Sequence, residues 1–306
     1  YNLYAKHIRN KEVYTTDMHE WLIVMLPPEP YAVVDSIHLL TYNFENTDMD
    51  AYLKFHGIEV EQVSVAGTYP NFYLTDSVKV DGSEYKHLIN IVGTGRSKIN
   101  NIGKKTGRRN PLSKGWYINA SNEDKKQVSD NAYNFFYNMC NTPPNLNMVT
   151  VFKDGKGKEY QRDDEGYVYE NHFARDIREV TIKSSILRPP FKTVGKLTED
   201  DIKEMTKDQI AEAHCFVPFN IRATNLYAHK KSCAFLVDVH HDPSLITFFA
   251  KYDITLDNDQ HALNVIIQWL WRSRIRKGQP IDVYVPSKRM RHILMKWLGY
   301  TRKEMY

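Results

Sequence analysis

The nearly all-apolar run Ala234-Phe235-Leu236-Val237-Asp238-Val239 has the make-up of a strand buried on both faces. Downstream, Leu263, Ile266, Ile267 and Leu270 repeat at helical spacing and predict an amphipathic helix over Asp259 to Arg276. Gly278 ends that helix, and Ile281 to Val285 is the next strand. Ser287 is placed to cap a last helix whose Met290, Ile293, Leu294 and Trp297 face inward. Strand, long helix, glycine and strand in this order predict an α/β fold with a parallel sheet.

A second such unit is expected nearer the N-terminus. Ser36 to Tyr42 reads as a buried strand, Asp48 to His56 as a helix ended by Gly57, and Ile58 to Val65 as an alternating strand. Before it, Asp17 can cap a short helix over Met18 to Leu26, which Pro27-Pro28 stops. Between the two units, Ser121 opens a capping box with Asp124. The helix that follows carries Val128, Ala132, Phe135, Phe136 and Met139 on one side and closes at Pro143-Pro144. Thr198 caps a further helix from Glu199 to about His214, while residues 145–195 read as short strands and polar turns. The expected organisation is a peripheral segment 1–30, a main α/β lobe formed by 31–66 and 215–306, and an irregular, basic α+β insertion over 67–214.

Composition narrows the class. With 306 residues, 42% apolar and 25% charged, the chain can bury an ordinary globular core. Its three cysteines, Cys140, Cys215 and Cys233, are far apart and form no C-x-x-C pair. That excludes a disulfide framework and a thiolate zinc site and suits a reducing, cytoplasmic setting. No apolar run reaches membrane-spanning length, so no membrane partner is expected. The chain opens on Tyr1 rather than Met, as a piece of a longer protein would.

Charge is unevenly spread. The net value is only +4. Yet the stretch 96–114 holds Arg96, Lys98, Lys104, Lys105, Arg108, Arg109 and Lys114 without an acid, and Arg272 to Lys303 is a second cationic block interrupted by Asp282. Basic residues leading to Trp116 and Tyr117 are the ingredients of a single-strand nucleic-acid track, in which charges follow the backbone and aromatic rings stack on bases. DNA or RNA, in single-stranded form, is the expected partner.

Phosphate and metal motifs give a mixed return. Gly103-Lys104-Lys105-Thr106 lacks the first glycine of a P-loop, and Ala211-Glu212-Ala213-His214 lacks the leading Asp of a Mg²⁺ box. No ATP hydrolysis by this chain alone is therefore expected. Asp238, His240, His241 and Asp242 cluster at a strand end, where carboxylate and imidazole could serve a metal-dependent nuclease; turn chemistry ending in Pro243 is the preferred reading. On the expected 259–276 helix, Gln268, Arg272 and Arg276 fall at i, i+4 and i+8, a polar stripe suited to phosphoryl oxygens.

Those residues, with Ala223-Thr224-Asn225 upstream and Thr41 in the first strand, resemble the second RecA-like lobe of superfamily 2 helicases. The run from Ala223 to Leu298 also looks like helicase-related proteins of phages and mobile elements. The resemblance implies a RecA-like parallel sheet flanked by helices. It also implies backbone contacts to nucleic acid from Thr41 and Tyr42, coupling to nucleotide through Thr224, Asn225 and Arg274, and arginine fingers from Arg272 and Arg276 with Gln268. Trp271 stands where the family has glycine, and Ile275 where it has its second arginine. ATP and Mg²⁺ would be held only if a first lobe, upstream or on another chain, completed the motor. A non-catalytic nucleic-acid-binding accessory of phage or mobile-element replication fits the same charges without a lost lobe.

Overall fold

The computed structural model describes residues 13–15, 22–39, 41, 43–68, 70–76, 81–94, 97–102, 110–152, 161–162, 168–169, 215–220 and 224–305. In chain order the elements begin with β1 (Val13–Thr15), β2 (Leu22–Val24), α1 (Asp48–Phe55), β3 (Val63–Thr68) and β4 (Asn71–Asp76). Then follow β5 (Ile89–Ile91), α2 (Lys114–Asn119), α3 (Asn122–Tyr133), β6 (Asn147–Thr150), β7 (Gln161–Arg162) and β8 (Val168–Tyr169). Next come β9 (Ser232–Phe235), α4 (Pro243–Ala250), α5 (Asn258–Leu270), β10 (Ile281–Tyr284) and α6 (Lys288–Trp297), and a short helical turn, Arg302–Met305, comes last. Two compact units result: Tyr1–Val80 with His240–Asn264, and Asp81–Val239 with Val265–Tyr306.

In the first unit β1 and β2 form an antiparallel pair with Val13 opposite Val24. The helix expected over Met18 to Leu26 is thus replaced by a strand at Leu22–Val24, where β-branched Ile23 and Val24 fit a pleated ribbon better than a helix turn. Helix α1 forms as expected, its first turn closed by Asp50 N–H donating to Thr47 Oγ1 at 3.3 Å. The parallel strand–helix–strand unit expected over 36–65 does not form. Residues 36–39 and 41 adopt no strand, and Ile37 and Leu39 are exposed; Leu40 and Tyr42 lie outside the described residues. The alternating segment instead pairs antiparallel with its immediate successor as the hairpin β3–β4, Val63 opposite Asp76. A local partner reached through a short turn costs far less loop entropy than a crossover. Gly67, at φ +98°, permits this, because any Cβ there would meet the Asn71 carbonyl oxygen. The unit's core is aromatic: Phe248 and Phe249 of α4 pack with Met25, Ala51 and Leu256, and Tyr14 and Phe55 close over them.

The second unit is built on a four-stranded, wholly parallel sheet in the order β5-β10-β9-β6, so the expected α/β class holds. Beyond β6, Cys215 to Val217 extends the pairing through the Cys215 carbonyl and the Val217 N–H, both bonded to Val149. Two of the four strands, β5 and β6, therefore come from the stretch expected to be an insertion. Side chains alternate across β9. Ala234 and Leu236 join Tyr284, Val149 and Val151 beneath α2 and α3, where Trp116, Val128, Phe135 and Phe136 are buried. Phe235 points the other way and meets the α5 residue Trp269 edge-on at 5.3 Å. Trp269 is sealed from solvent, and its indole N–H donates to the Val217 carbonyl at 2.9 Å, so the ring costs no unpaired donor. Helix α3 continues into a π-helical turn, Asn134–Met139, whose Phe135 and Phe136 fill the same core. A separate two-stranded pair, β7 and β8, runs antiparallel. Among the described residues no helix is long and apolar enough to cross a membrane.

Gly82 shows how closely α6 is seated. Its N–H donates to the Trp297 carbonyl at 2.8 Å, and a Cβ would fall 2.4 Å from the indole ring. Gly82→Ala is expected to destabilise the chain by about 1–3 kcal/mol through overpacking, read from the shift in denaturant midpoint.

Candidate functional site

Open parallel sheets take ligands beyond the C-terminal ends of their strands, where neighbouring connections leave on opposite faces. In the second unit that point lies between β5 and β10. The chain leaving β5 goes to α2 and α3 on one face. The chain leaving β10 enters α6, whose Trp297 packs edge-on against Trp271 just past the end of α5 on the other face.

Both sides of this crevice are held rigidly. Val92 N–H donates to the Val283 carbonyl at 2.8 Å, extending the pairing of β5 with β10. Gly93 follows with φ +77°, and a Cβ there would lie 2.7 Å from the Ile99 side chain. The Asn100 amide donates to the Gly93 carbonyl. The Ile99 carbonyl accepts both the Tyr284 hydroxyl, at 2.6 Å, and the Asn131 amide, at 2.9 Å, which ties the loop to β10 and α3. Across the crevice, Ser287 Oγ accepts the Met290 N–H at 3.2 Å and opens α6. The first turn of α6 carries Lys288, Arg289 and Arg291 and no acid. Burial, with the cations Arg291 and Lys288 adding to it, pushes the His292 pKa down.

Two arginines are anchored to the edge itself. Arg291 is buried and donates to the Val285 and Pro286 carbonyls at 2.8 and 3.1 Å. Arg289 pairs with Asp238 at 2.9 Å and also donates to the Val239 carbonyl at 2.7 Å, fastening the end of β9 to α6. Asp238 N–H in turn donates to the Leu112 carbonyl at 2.9 Å. At the end of β6, Thr150 Oγ1 is buried without a hydrogen-bond partner.

The arginine stripe does not survive as a stripe. Helix α5 stops at Leu270, Ser273 turns extended with its hydroxyl on the Leu270 carbonyl, and Arg274–Lys277 form a separate 3-10 turn. Gln268, Arg272 and Arg276 therefore do not share one helix face. Arg274 N–H donates to the carbonyl of Lys230, just before β9, and its side chain to that of Pro280, just before β10. This cluster sits at the N-terminal edge of the sheet, opposite the crevice. Arg272 does reach Thr224, donating to its carbonyl at 3.3 Å, and burial with Arg276 nearby lowers the Arg272 pKa. Thr224 Oγ1 accepts the Leu226 N–H and the Asn225 carbonyl accepts the Ala228 N–H, so both residues shape a turn. Gln268 and Arg276 are exposed.

The cationic track is only partly visible. Lys98 and Lys114 are exposed, whereas Arg96, Lys104, Lys105, Arg108, Arg109 and Tyr42 lie outside the described residues. The P-loop-like Gly103 to Thr106 and the segment Ala211 to His214 lie there too. Thr41, in the first unit, is exposed. Trp116 is 3% exposed within the core, so the stacking platform expected of it is corrected: no ring face is open to a base. The quartet considered for a nuclease separates as well. Asp238 pairs with Arg289, Asp242 caps α4 by accepting the Ser244 N–H, and His240 Nδ1 lies 3.2 Å from the Asn258 amide nitrogen. Burial raises the cysteine thiols, Cys233 to about 12 and Cys140 to about 11.

The glycine turn was within reach of the sequence. Ile89-Asn90-Ile91-Val92 is a short apolar strand followed at once by Gly93-Thr94-Gly95, the spacing with which a first βα turn approaches phosphate; Lys98 stands where a third glycine would complete the fingerprint. With this geometry in view, residues 83–298 match the YonV C-terminal Rossmann-like domain, and the chain belongs to that family. It is 27% identical over 298 residues to the SPbeta prophage-derived protein YonV of Bacillus subtilis strain 168. The match covers 97% of this chain and 60% of that protein, so the chain spans under two thirds of its relative. No solved structure matches. The expected kinship with phage proteins is met by a prophage relative.

Replacing Arg289 by Met leaves the Asp238 carboxylate nearly sealed from water with its cation removed. Breaking a buried pair costs about 3–5 kcal/mol; because a quarter of the Arg289 side chain is exposed, a loss of about 1–3 kcal/mol is expected in equilibrium unfolding.

Proposed function

We propose that the chain is a nucleotide-binding protein of phage type that holds a phosphate group in the crevice between β5 and β10. The observation that carries this reading is that the Gly93 turn after β5 and the first turn of α6 after β10, which carries the exposed Lys288, follow the C-terminal ends of two neighbouring parallel strands. Backbone amides and a helix N-terminus suit an anion, and the cations add attraction without a base-specific contact. The exposed Lys98 and Lys288 are the residues expected to meet the phosphate, and Gly93 lets the backbone approach it. A nucleotide free in solution and one at the end of a nucleic-acid strand present the same group.

Titration of the purified chain with ATP, AMP, NAD and a single-stranded oligonucleotide separates these cases. Saturable binding of at least one nucleotide is expected, weakening as salt rises, and the double variant Lys98→Glu/Lys288→Glu is expected to weaken it at least about tenfold with unchanged circular dichroism. If none of the four ligands binds at millimolar concentration, or if the variant binds as the parent does, the reading fails. Affinity for the oligonucleotide that grows with its length would place the phosphate within a strand.

One observation favours a second reading, the helicase lobe. Arg272 and Thr224, the residues assigned to an arginine finger and to nucleotide coupling, are in contact. In that reading ATP and Mg²⁺ are supplied by a first lobe, and the chain alone shows no ATP turnover even with single-stranded DNA. Mg²⁺-dependent turnover by the purified chain would dismiss it.

A further inference from the structure

We propose that Asp48, His241 and His261, all in the first unit, form a binding site for a first-row divalent transition metal with open coordination positions. One ligand atom from each residue can be chosen so that all three lie within 4.8 Å of one another. His241 Nδ1 and Asp48 Oδ1 are 3.3 Å apart, close to the spacing of two ligands that share a tetrahedral ion at about 2.0–2.1 Å. The two imidazole rings lie face to face, centroids 3.9 Å apart and tilted by 32°. Two protonated rings so placed would repel; two neutral rings beside one carboxylate are a ligand set.

The residues come from three elements that hydrogen bonds fix in place. Asp48 starts α1, His241 immediately precedes Asp242, the cap of α4, and His261 lies in the first turns of α5. Asn258 Oδ1 accepts the His241 N–H at 2.9 Å. The Asn46 carbonyl accepts the Asp257 N–H at 3.3 Å, and the Asn43 side chain donates to Asn264 at 3.1 Å. Such bracing holds ligands in place before the ion arrives. The His241 side chain is 1% exposed and turns its Nδ1 toward Asp48, so the ring is fixed with that nitrogen at the site. Asp48, by contrast, is 60% exposed, which leaves an entry path and room for water on the ion.

The donor set selects the ion. Two imidazoles and one carboxylate suit Zn²⁺, Mn²⁺, Fe²⁺ or Co²⁺, whereas Ca²⁺ and Mg²⁺ prefer an all-oxygen shell. Three protein ligands leave at least one position for water or another small ligand, the pattern of a reactive rather than a sealed structural site.

Co²⁺ titration of the purified chain is the test, because ligand-field bands in the visible report coordination directly. One equivalent of Co²⁺ is expected to bind with such bands, and Zn²⁺ to displace it. Asp48→Asn and His261→Ala are each expected to weaken binding at least about tenfold while circular dichroism stays unchanged. Both avoid the sealed His241, whose replacement could unfold the unit. The absence of a saturable spectrum would overturn the proposal. So would a spectrum that persists in both variants, because the chain has 12 histidines and the ion would then be held elsewhere.

Discussion

Strand β9 is hydrogen-bonded on both edges at once, to β6 on one side and β10 on the other, and its side chains are buried on both faces. A four-residue strand in that position leaves no backbone group for water to satisfy, so every ladder bond must be made within the protein. The consequences spread outward. Phe235 needs Trp269 across it, Trp269 needs the Val217 carbonyl, and Val217 is held by Val149 of β6. On the opposite face Leu236 lends its carbonyl to the Tyr117 hydroxyl at 2.6 Å, which orients α2. At the strand's end Asp238 and Arg289 pin α6. The edge proposed to receive phosphate is rigid because the centre of the sheet is.

Legibility followed burial. The run from Ala234 to Val239 and helix α6, with its Ser287 cap, were readable because long apolar stretches and caps are local signals. Strands β5 and β6 were not. Each is three or four residues long, and Asn90, Asn147 and their neighbours blur the apolar pattern. The 58–65 segment failed for another reason: alternation at period two suits a hairpin and a crossover strand equally, and only the distant partner decides. The helix carrying Gln268 starts where the apolar spacing predicts but stops at Leu270, short of Arg272, since nothing in Arg-Ser-Arg-Ile-Arg announces that Ser273 will bond back to Leu270.

Much the same holds for the sites. Charge density drew attention to the guanidinium groups, yet charge alone does not tell which end of a sheet it will occupy. The order of strands does, and that order is a tertiary property. Gly93-Thr94-Gly95 carried the more pointed signal but is brief, and the strand before it is too short to be recognised with ease. The Asp48, His241 and His261 constellation joins Asp48 to two histidines that lie far downstream in the chain, a separation that spacing rules for metal motifs do not span.

The strand order also bears on how the chain is made. Among the described residues β5 pairs with β10 alone, so Ile89 waits for Ile281 before its backbone groups find partners. During synthesis at about 5–20 residues per second, that leaves an apolar strand without its neighbour for roughly ten seconds or more. Contacts so distant in sequence make for slow assembly. Everything from β5 through β10 must be synthesised before the second unit can close, and the nascent chain depends meanwhile on the short, polar-flanked character of β5 to escape aggregation.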